Sequence, residues 1–275
     1  MFHVNELKYK GADYLCGIFG FALKQKMPMD KVFKVLEQLE AHRYPEESKP
    51  VGGYGAGIAV INGKRRVILE KTGKVSDVSP VKRLSETVKV NEANVLVGHV
   101  RMPSKEFMST VEFRETAQPY MAKCYLDLVV VSAHNGYFSN YKKLREKLGG
   151  KHVFESEKVG LIDSEVIPHL FESRLVEKGG HVEKALDSVF QCLEGSNTVC
   201  LLHVGKEDLF MHFIHKGKTR GLNVWTNNQG EIIFCSRKEA LTSEFTKLLV
   251  KSEFREKISV KWREEKSIKF SLRVL

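Results

Sequence analysis

Short apolar runs of strand length outnumber helical segments in this chain, and their order limits the folds it can adopt. Apolar residues recur at helical spacing in two separate blocks, one at residues 29–42 and one between about 140 and 190. Runs of strand length lie before, between and after these blocks, at residues 16–23, 55–62, 66–71, 95–100, 126–133, 198–204, 209–214, 222–226 and 232–236. Long alternating strand–helix units, which would predict a doubly wound parallel sheet, are missing. The order therefore predicts an α+β sandwich in which largely antiparallel sheets pack together and helices cover the outside.

Length and composition narrow the class of protein. A chain of 275 residues can bury a substantial core as one large domain or two small ones. No apolar run approaches the roughly 20 residues that span a bilayer, and residues 1–10 do not resemble a secretion signal. The net charge of +10 comes from lysines and arginines scattered among acids. This pattern favours a solvated surface, with an acidic protein partner as an option, over nucleic-acid binding.

The cysteines and histidines do not predict a metal site. Five cysteines make an odd number, and no pair has Cys-x-x-Cys spacing, so we expect a reduced cytoplasmic chain without a zinc cluster. His212 and His215 lie on one predicted strand, where an odd separation places them on opposite faces. We therefore expect no metal and no cofactor.

A thiol stands at the start of the first predicted strand. Cys16 is followed by Gly17, which would let a ligand approach the backbone, and then by an apolar run. A cysteine among apolar residues can equally be a buried, inert side chain, because cysteine is among the most buried residue types. Both interpretations stand on this stretch alone.

Three other segments carry polar groups at the ends of predicted elements. Arg101 follows a strand, where it could pair with a carboxylate or be an ordinary surface arginine. Asn135 and Gly136 follow an apolar strand and could supply the two donors of an oxyanion hole, or form a common Asn-Gly turn. Asp163 could cap the helix that it opens, or face a cationic ligand group.

These segments occur in an order that resembles one enzyme family. Cys-Gly-Ile-Phe-Gly at 16–20 is followed by Gly-His-Val-Arg-Met-Pro-Ser at 98–104. Ala-His-Asn-Gly-Tyr-Phe-Ser-Asn at 133–140 and Asp-Ser-Glu-Val-Ile at 163–167 complete the series. Together they resemble the class II glutamine amidotransferases, which are amino-terminal-nucleophile (Ntn) hydrolases, over roughly residues 16–235.

The resemblance implies a four-layer αββα sandwich and a role for each matching residue. Cys16 would attack the side-chain amide of glutamine, giving a γ-glutamyl thioester and ammonia. Asn135 and Gly136 match the oxyanion-hole positions of the family. The remaining matches concern the amino-acid head of the substrate: Arg101 for the α-carboxylate, assisted by Ser104, and Asp163 for the α-ammonium group.

Two departures from the family pattern bear on how the chain works. Members with a synthase partner often carry an aromatic residue after the arginine, whereas Met102 and Pro103 follow here, as in small stand-alone members. The family also needs its cysteine at the first position of the mature chain, because the free α-amino group accepts the thiol proton. We therefore expect residues 1–15 to be a removable extension and residues 16–275 to be the amidotransferase domain.

The acceptor of the ammonia is left open by the sequence. About forty residues follow Cys235, so we expect no acceptor-binding domain and favour a separate synthase subunit as partner. Hydrolysis of γ-glutamyl peptides or conjugates and a catalytically silent regulatory subunit are the alternatives. The sequence leaves the oligomeric state open, a homo-oligomer included.

Overall fold

Two antiparallel β-sheets lie face to face in the computed structural model, which describes residues 16–61, 65–125, 127–219 and 221–274. The strands are β1 (Gly17–Pro28), β2 (Gly55–Ile61), β3 (Val67–Gly73), β4 (Glu92–Val100), β5 (Tyr120–Ala122), β6 (Val129–Gly136), β7 (Asn197–Val204), β8 (Leu209–Lys216), β9 (Leu222–Thr226), β10 (Ile232–Cys235), β11 (Arg255–Val260) and β12 (Ile268–Arg273). The helices are α1 (Met29–Ala41), α2 (Pro80–Thr87), α3 (Tyr141–Leu148), α4 (Asp163–Glu177), α5 (Val182–Cys192) and α6 (Ser243–Lys251). The predicted extension at residues 1–15 lies outside the described residues.

The sandwich has four layers, and an apolar core fills each of the three spaces between them. One sheet has seven strands in the order β11-β9-β10-β1-β4-β2-β3, and the other has five in the order β12-β8-β7-β6-β5. Side chains of α1, α2 and α6 pack on the outer face of the larger sheet, and those of α3, α4 and α5 on the outer face of the smaller one. The predicted α+β fold of the αββα type is confirmed.

Alternation along the strands fills these layers. In β1, Phe19 and Phe21 face the helices, whereas Ile18 faces the second sheet. Val97 of β4 and Ala133 of β6 also lie in the core between the sheets. On each of these strands, residues an even number of positions from Ile18, Val97 or Ala133 therefore also face the space between the two sheets.

The starts and ends of three strands meet at one edge of the sandwich. Gly17 pairs with Val100, so the start of β1 lies beside the end of β4. A Cβ atom on Gly17 would lie 2.7 Å from a Val100 methyl carbon, so this close packing requires glycine. Across the gap between the sheets, the His99 ring donates a hydrogen bond from Nε2 to the His134 carbonyl at 3.2 Å. The end of β6 is thus held against the end of β4.

The chain after β10 contains more regular structure than the sequence predicted. The structure has a 3₁₀ turn at Lys238–Ala240, then α6 and two further strands. Strand β11 is an edge strand of the seven-stranded sheet, and β12 is an edge strand of the five-stranded sheet. Charged side chains are typical of edge strands, and they interrupt the alternation of apolar and polar residues by which a strand is predicted from sequence. Helix α2 and strand β5 were also missed. Among the described residues no helix is long and apolar enough to cross a membrane.

Candidate active site

Cys16 lies at the entry to β1, against the backbone that follows β4. Its side chain is buried, and Sγ lies 3.4 Å from both the carbonyl oxygen and the amide nitrogen of Met102. The buried thiol predicted by the inert interpretation is present. Cys16 belongs to none of the three apolar cores, however, and its Sγ contacts the backbone of the residue directly after Arg101.

Arg101 is buried rather than exposed, so its interpretation as a surface arginine is wrong. Nη1 donates to Thr116 Oγ1 at 2.7 Å and Nη2 to Thr110 Oγ1 at 3.0 Å. No carboxylate ion-pairs with this guanidinium within the part of the chain that the structure describes. Burial lowers the pKa of Arg101, and the nearby charges of Tyr120, Cys16 and Asp163 oppose that shift. A buried cation without an anion is costly, so the site suits a ligand carboxylate.

The segment between β4 and β5 holds the guanidinium in place. It forms two 3₁₀ turns, Lys105–Thr110 and Arg114–Thr116. Thr116 Oγ1 donates to the Thr110 carbonyl at 2.6 Å, which fixes the two hydroxyls relative to each other. Neither threonine stands out in the sequence, because this segment has no apolar periodicity. Ser104, at the start of this loop, is partly buried, and its Oγ has no hydrogen-bond partner among the described residues.

Asp163 is the first residue of α4 and is buried. Of its two interpretations, the helix cap is wrong, since the N-cap residue is Ile162. Its Oδ2 accepts from the Phe138 amide at 3.3 Å and its Oδ1 from Ser164 Oγ at 3.3 Å. Burial raises the pKa of Asp163 to about 7, against the lowering effect of these hydrogen bonds. The His134 ring is 3.9 Å away, but burial lowers its pKa to about 4, so it is uncharged at neutral pH.

Asn135 and Gly136 are the last two residues of β6. They pair with Thr198 and Asn197 of β7, so the alternative of an Asn-Gly turn is wrong. The Asn135 side chain is fully buried, yet neither its nitrogen nor its oxygen has a hydrogen-bond partner in the described chain. Buried amides are nearly always paired, so this one suits a ligand acceptor. A Cβ on Gly136 would lie 2.3 Å from the Ser196 carbonyl oxygen, so only glycine fits there.

A buried polar network fixes the end of β6 against the start of α4. Gln118 donates from Nε2 to the His134 carbonyl at 3.0 Å and accepts from the His134 amide at 2.7 Å. The His134 ring contacts Ser164 Oγ through Nδ1 and Asn197 Oδ1 through Nε2, each at 2.8 Å. Sequence analysis missed Gln118, Ser164 and Asn197, which lie 16 to 63 residues from His134 in the chain.

These side chains face a common region at one edge of the sandwich. Cys16, Arg101 and Asn135 each continue the strand face that points into the space between the sheets. Asp163 is held beside the end of β6 through Phe138 and close to His134. The region combines a thiol, a buried cation, a buried carboxylate and an unpaired amide. Such an arrangement suits a zwitterionic amino acid whose side chain reaches the thiol.

Sequence comparison finds similarity to known glutamine amidotransferases. A family profile described as "Glutamine amidotransferase domain" matches residues 105–243, slightly more than half of the chain. Glutamine–fructose-6-phosphate aminotransferase of Sulfolobus acidocaldarius is 29% identical over 203 residues, which are 71% of this chain and 30% of that protein. Amidophosphoribosyltransferase of Methanocaldococcus jannaschii is 29% identical over 190 residues, covering 68% and 36%. The chain therefore corresponds to about a third of the length of these relatives.

Two solved structures share the fold. The structure titled "allosteric regulatory enzyme of purine biosynthesis" aligns with a TM-score of 0.60 at 18% identity, over 93% of this chain and 48% of the other. Glutamine phosphoribosylpyrophosphate amidotransferase from B. subtilis aligns with a TM-score of 0.56 at 17% identity, over 93% and 49%. At these identities the likeness concerns the fold.

Proposed function

This chain belongs to the class II glutamine amidotransferase family, and we propose that it hydrolyses the side-chain amide of glutamine through a thioester on Cys16. The observation that carries the proposal is a pair of buried, opposite charges, neither of which forms an ion pair with a charged side chain among the described residues. Arg101 is a buried cation without a carboxylate, and Asp163 is a buried carboxylate beside an uncharged histidine. The α-carboxylate and α-ammonium groups of an amino acid would satisfy both.

The proposed reaction uses these contacts to aim the amide at the thiol. With the head group held by Arg101 and Asp163, Sγ of Cys16 attacks the amide carbon and the carbonyl oxygen becomes an oxyanion. The side-chain amide of Asn135 and the backbone N–H of Gly136 would donate to that oxyanion. The C–N bond then breaks and ammonia leaves, after which water hydrolyses the γ-glutamyl thioester to glutamate. Remote charge pairing thereby positions the reacting group.

The proton from the thiol needs an acceptor in this scheme, and that acceptor then gives the proton to the departing nitrogen, which leaves as ammonia. A free α-amino group on Cys16 would have a pKa of about 7.7–8.0 and could accept it at neutral pH, whereas a peptide nitrogen cannot. We therefore propose that residues 1–15 are a propeptide and that residues 16–275 are the active domain. Ser104 is proposed to assist Arg101 at the α-carboxylate, consistent with its unpaired hydroxyl.

The ammonia is proposed to reach a separate synthase subunit. The net charge of +10 favours a partner with an acidic surface. Release of ammonia to solvent by a free-standing hydrolase is the other outcome, and the substrate then need not be glutamine. Arg101 and Asp163 would recognise only the amino-acid head, which every γ-glutamyl amide shares.

Steady-state rates on glutamine and on γ-glutamyl dipeptides test the substrate. We expect a chain that begins at Cys16 to release ammonia from glutamine with a higher kcat/KM than it cleaves any γ-glutamyl dipeptide. The buried position of the thiol favours the smaller leaving group. A higher kcat/KM for dipeptides would show that the protein is a γ-glutamyl peptide hydrolase and not a glutaminase. Activity on neither substrate would support a catalytically silent subunit.

Asp163 should make glutamine binding pH-dependent. Because its pKa is raised to about 7, the carboxyl loses its charge, and its attraction for the α-ammonium group, as the pH falls below 7. With Cys16→Ala in the chain that begins at residue 16, we expect Kd for glutamine to rise towards tenfold per pH unit below about pH 7.

Asp163→Asn is the matched variant, because it removes the carboxyl group whose pKa is raised. Asp163→Asn, combined with Cys16→Ala, should have a higher Kd than Cys16→Ala alone at neutral pH. Its Kd should not rise as the pH falls below the Asp163 pKa of about 7. In the ligand-free protein the ionised carboxylate destabilises the fold progressively as the pH rises from its ordinary pKa towards 7, so Asp163→Asn should remove this loss. An unchanged pH dependence of Kd in Asp163→Asn would exclude this carboxylate as the ammonium partner.

A further inference from the structure

Four side chains of metal-ligating types meet beside helix α4, beyond its first turn. Sγ of Cys124, Nδ1 of His152, Nδ1 of His169 and a carboxylate oxygen of Glu172 all lie within 4.8 Å of one another. His152, His169 and Glu172 are buried and Cys124 is half-buried. None of the four belongs to the site described above.

Three of the distances between the ligand atoms are close to those around one tetrahedral ion, and a bound ion would draw the remaining pairs, which lie within 4.8 Å, closer together. Zinc lies about 2.0–2.1 Å from nitrogen or oxygen and about 2.3 Å from sulfur, so tetrahedral geometry separates two nitrogens by about 3.3 Å and nitrogen from sulfur by about 3.6 Å. The two histidine Nδ1 atoms are 3.1 Å apart, and Cys124 Sγ lies 3.5 Å from Nδ1 of His169. Oε2 of Glu172 is 3.4 Å from Nδ1 of His152 and 4.0 Å from Nδ1 of His169.

The Glu172 carboxylate is already oriented for such a role. Its Oε1 accepts from the backbone amides of Cys124 at 2.6 Å and Tyr125 at 3.2 Å. Its Oε2 is buried, points into the cluster and has no hydrogen-bond partner in the described part of the chain. An unpaired buried oxygen is costly, and a metal ion would satisfy it. One thiolate and one carboxylate would also balance the charge of a divalent ion in this buried place.

Three separate parts of the fold supply the ligands. His169 and Glu172 are three residues apart on one face of α4, Cys124 follows β5, and His152 follows α3. The expectation of no metal site rested on cysteine spacing and on His212 and His215. It missed this set because the fold, rather than short spacing, brings three sequence segments together.

We propose that Cys124, His152, His169 and Glu172 bind one Zn²⁺ ion in a closed, structural site. The ion would join the β5–β6 and α3–α4 connections to α4, the helix whose first residue is Asp163. The competing arrangement is a metal-free cluster in which one proton is shared between the two Nδ1 atoms. In that arrangement Oε2 of Glu172 has the Cys124 thiol and, 3.4 Å away, Nδ1 of His152 as neighbours, but no well-aligned hydrogen bond among the described residues.

Metal titration of the whole chain tests the site independently of any enzyme activity. The purified full-length protein is stripped with a chelator and titrated with Co²⁺ and then Zn²⁺. We expect one ion per chain, tetrahedral d–d absorption, a thiolate-to-cobalt charge-transfer band, and a higher thermal unfolding midpoint with Zn²⁺. A stripped wild-type chain that binds neither ion would overturn the proposal.

Variants separate this site from adventitious binding. Cys124→Ser should remove the charge-transfer band, and both it and Glu172→Gln should weaken Zn²⁺ binding by more than about 100-fold, beyond the usual effect of an outer-shell change. Cys192→Ser, which alters another half-buried cysteine, should bind as the wild type does. Undiminished binding in Cys124→Ser and Glu172→Gln would also overturn the proposal.

Discussion

Cys16→Ser is expected to lower kcat/KM for glutamine by at least about 10³-fold, as loss of a covalent nucleophile does in other hydrolases. Serine is close in size to cysteine and can keep the contacts with the Met102 backbone. Its hydroxyl is far less ionised than a thiol near neutral pH, so the change acts on nucleophilicity rather than on packing. Ammonia release by a chain that begins at residue 16 is the measurement.

The control for Cys16→Ser removes a thiol elsewhere. Cys192, the last residue of α5, is half-buried and lies outside the proposed catalytic contacts, so Cys192→Ser should keep full activity. Glutamine should still bind to Cys16→Ser, because Arg101 and Asp163 are unchanged. Activity of Cys16→Ser within tenfold of the wild type would rule out the thioester.

Arg101→Gln is expected to cost about 2–4 kcal/mol of transition-state stabilisation, which lowers kcat/KM for glutamine roughly 30- to 900-fold. The substitution removes the charge that would meet the α-carboxylate and keeps a polar side chain that can donate hydrogen bonds. Arg255→Gln removes an exposed arginine from the edge strand β11 and should change kcat/KM little.

A shortened substrate shows whether Arg101 acts on the carboxylate itself. 4-Aminobutanamide carries the amide and the amine of glutamine but lacks its α-carboxylate. If Arg101 binds that group, Arg101→Gln should affect this substrate much less than it affects glutamine. Equal losses on both substrates would mean that Arg101 supports the fold of the site without touching the carboxylate.

The sequence predicted the sandwich because its strands are strongly apolar. Strand β6 and strands β7 to β10 are almost entirely buried, so their apolar runs stand out, and the two helical blocks cover opposite faces. The order of four motifs also predicted which residues would meet. Cys16, Arg101, Asn135 and Asp163 do lie at one edge, because β1 begins where β4 and β6 end.

Other features depend on contacts that spacing does not encode. The burial of Arg101 depends on Thr110 and Thr116 in a loop without periodicity. Asp163 looked like a helix cap because its sequence position fits one, but its carboxylate is bound by the Phe138 amide and Ser164. Short sequence patterns predict local roles well, and they miss roles that the tertiary fold assigns.

Cys16 is proposed to act as a nucleophile with its own free amino group as the base, and the glutaminase activity of two chain forms tests this most directly. One form begins at Met1 and the other at Cys16, with each terminus verified by intact mass before and after the assay. We predict ammonia release from glutamine only by the form that begins at Cys16. Full activity of the Met1 form with its extension retained, or no activity in either form, would contradict the claim.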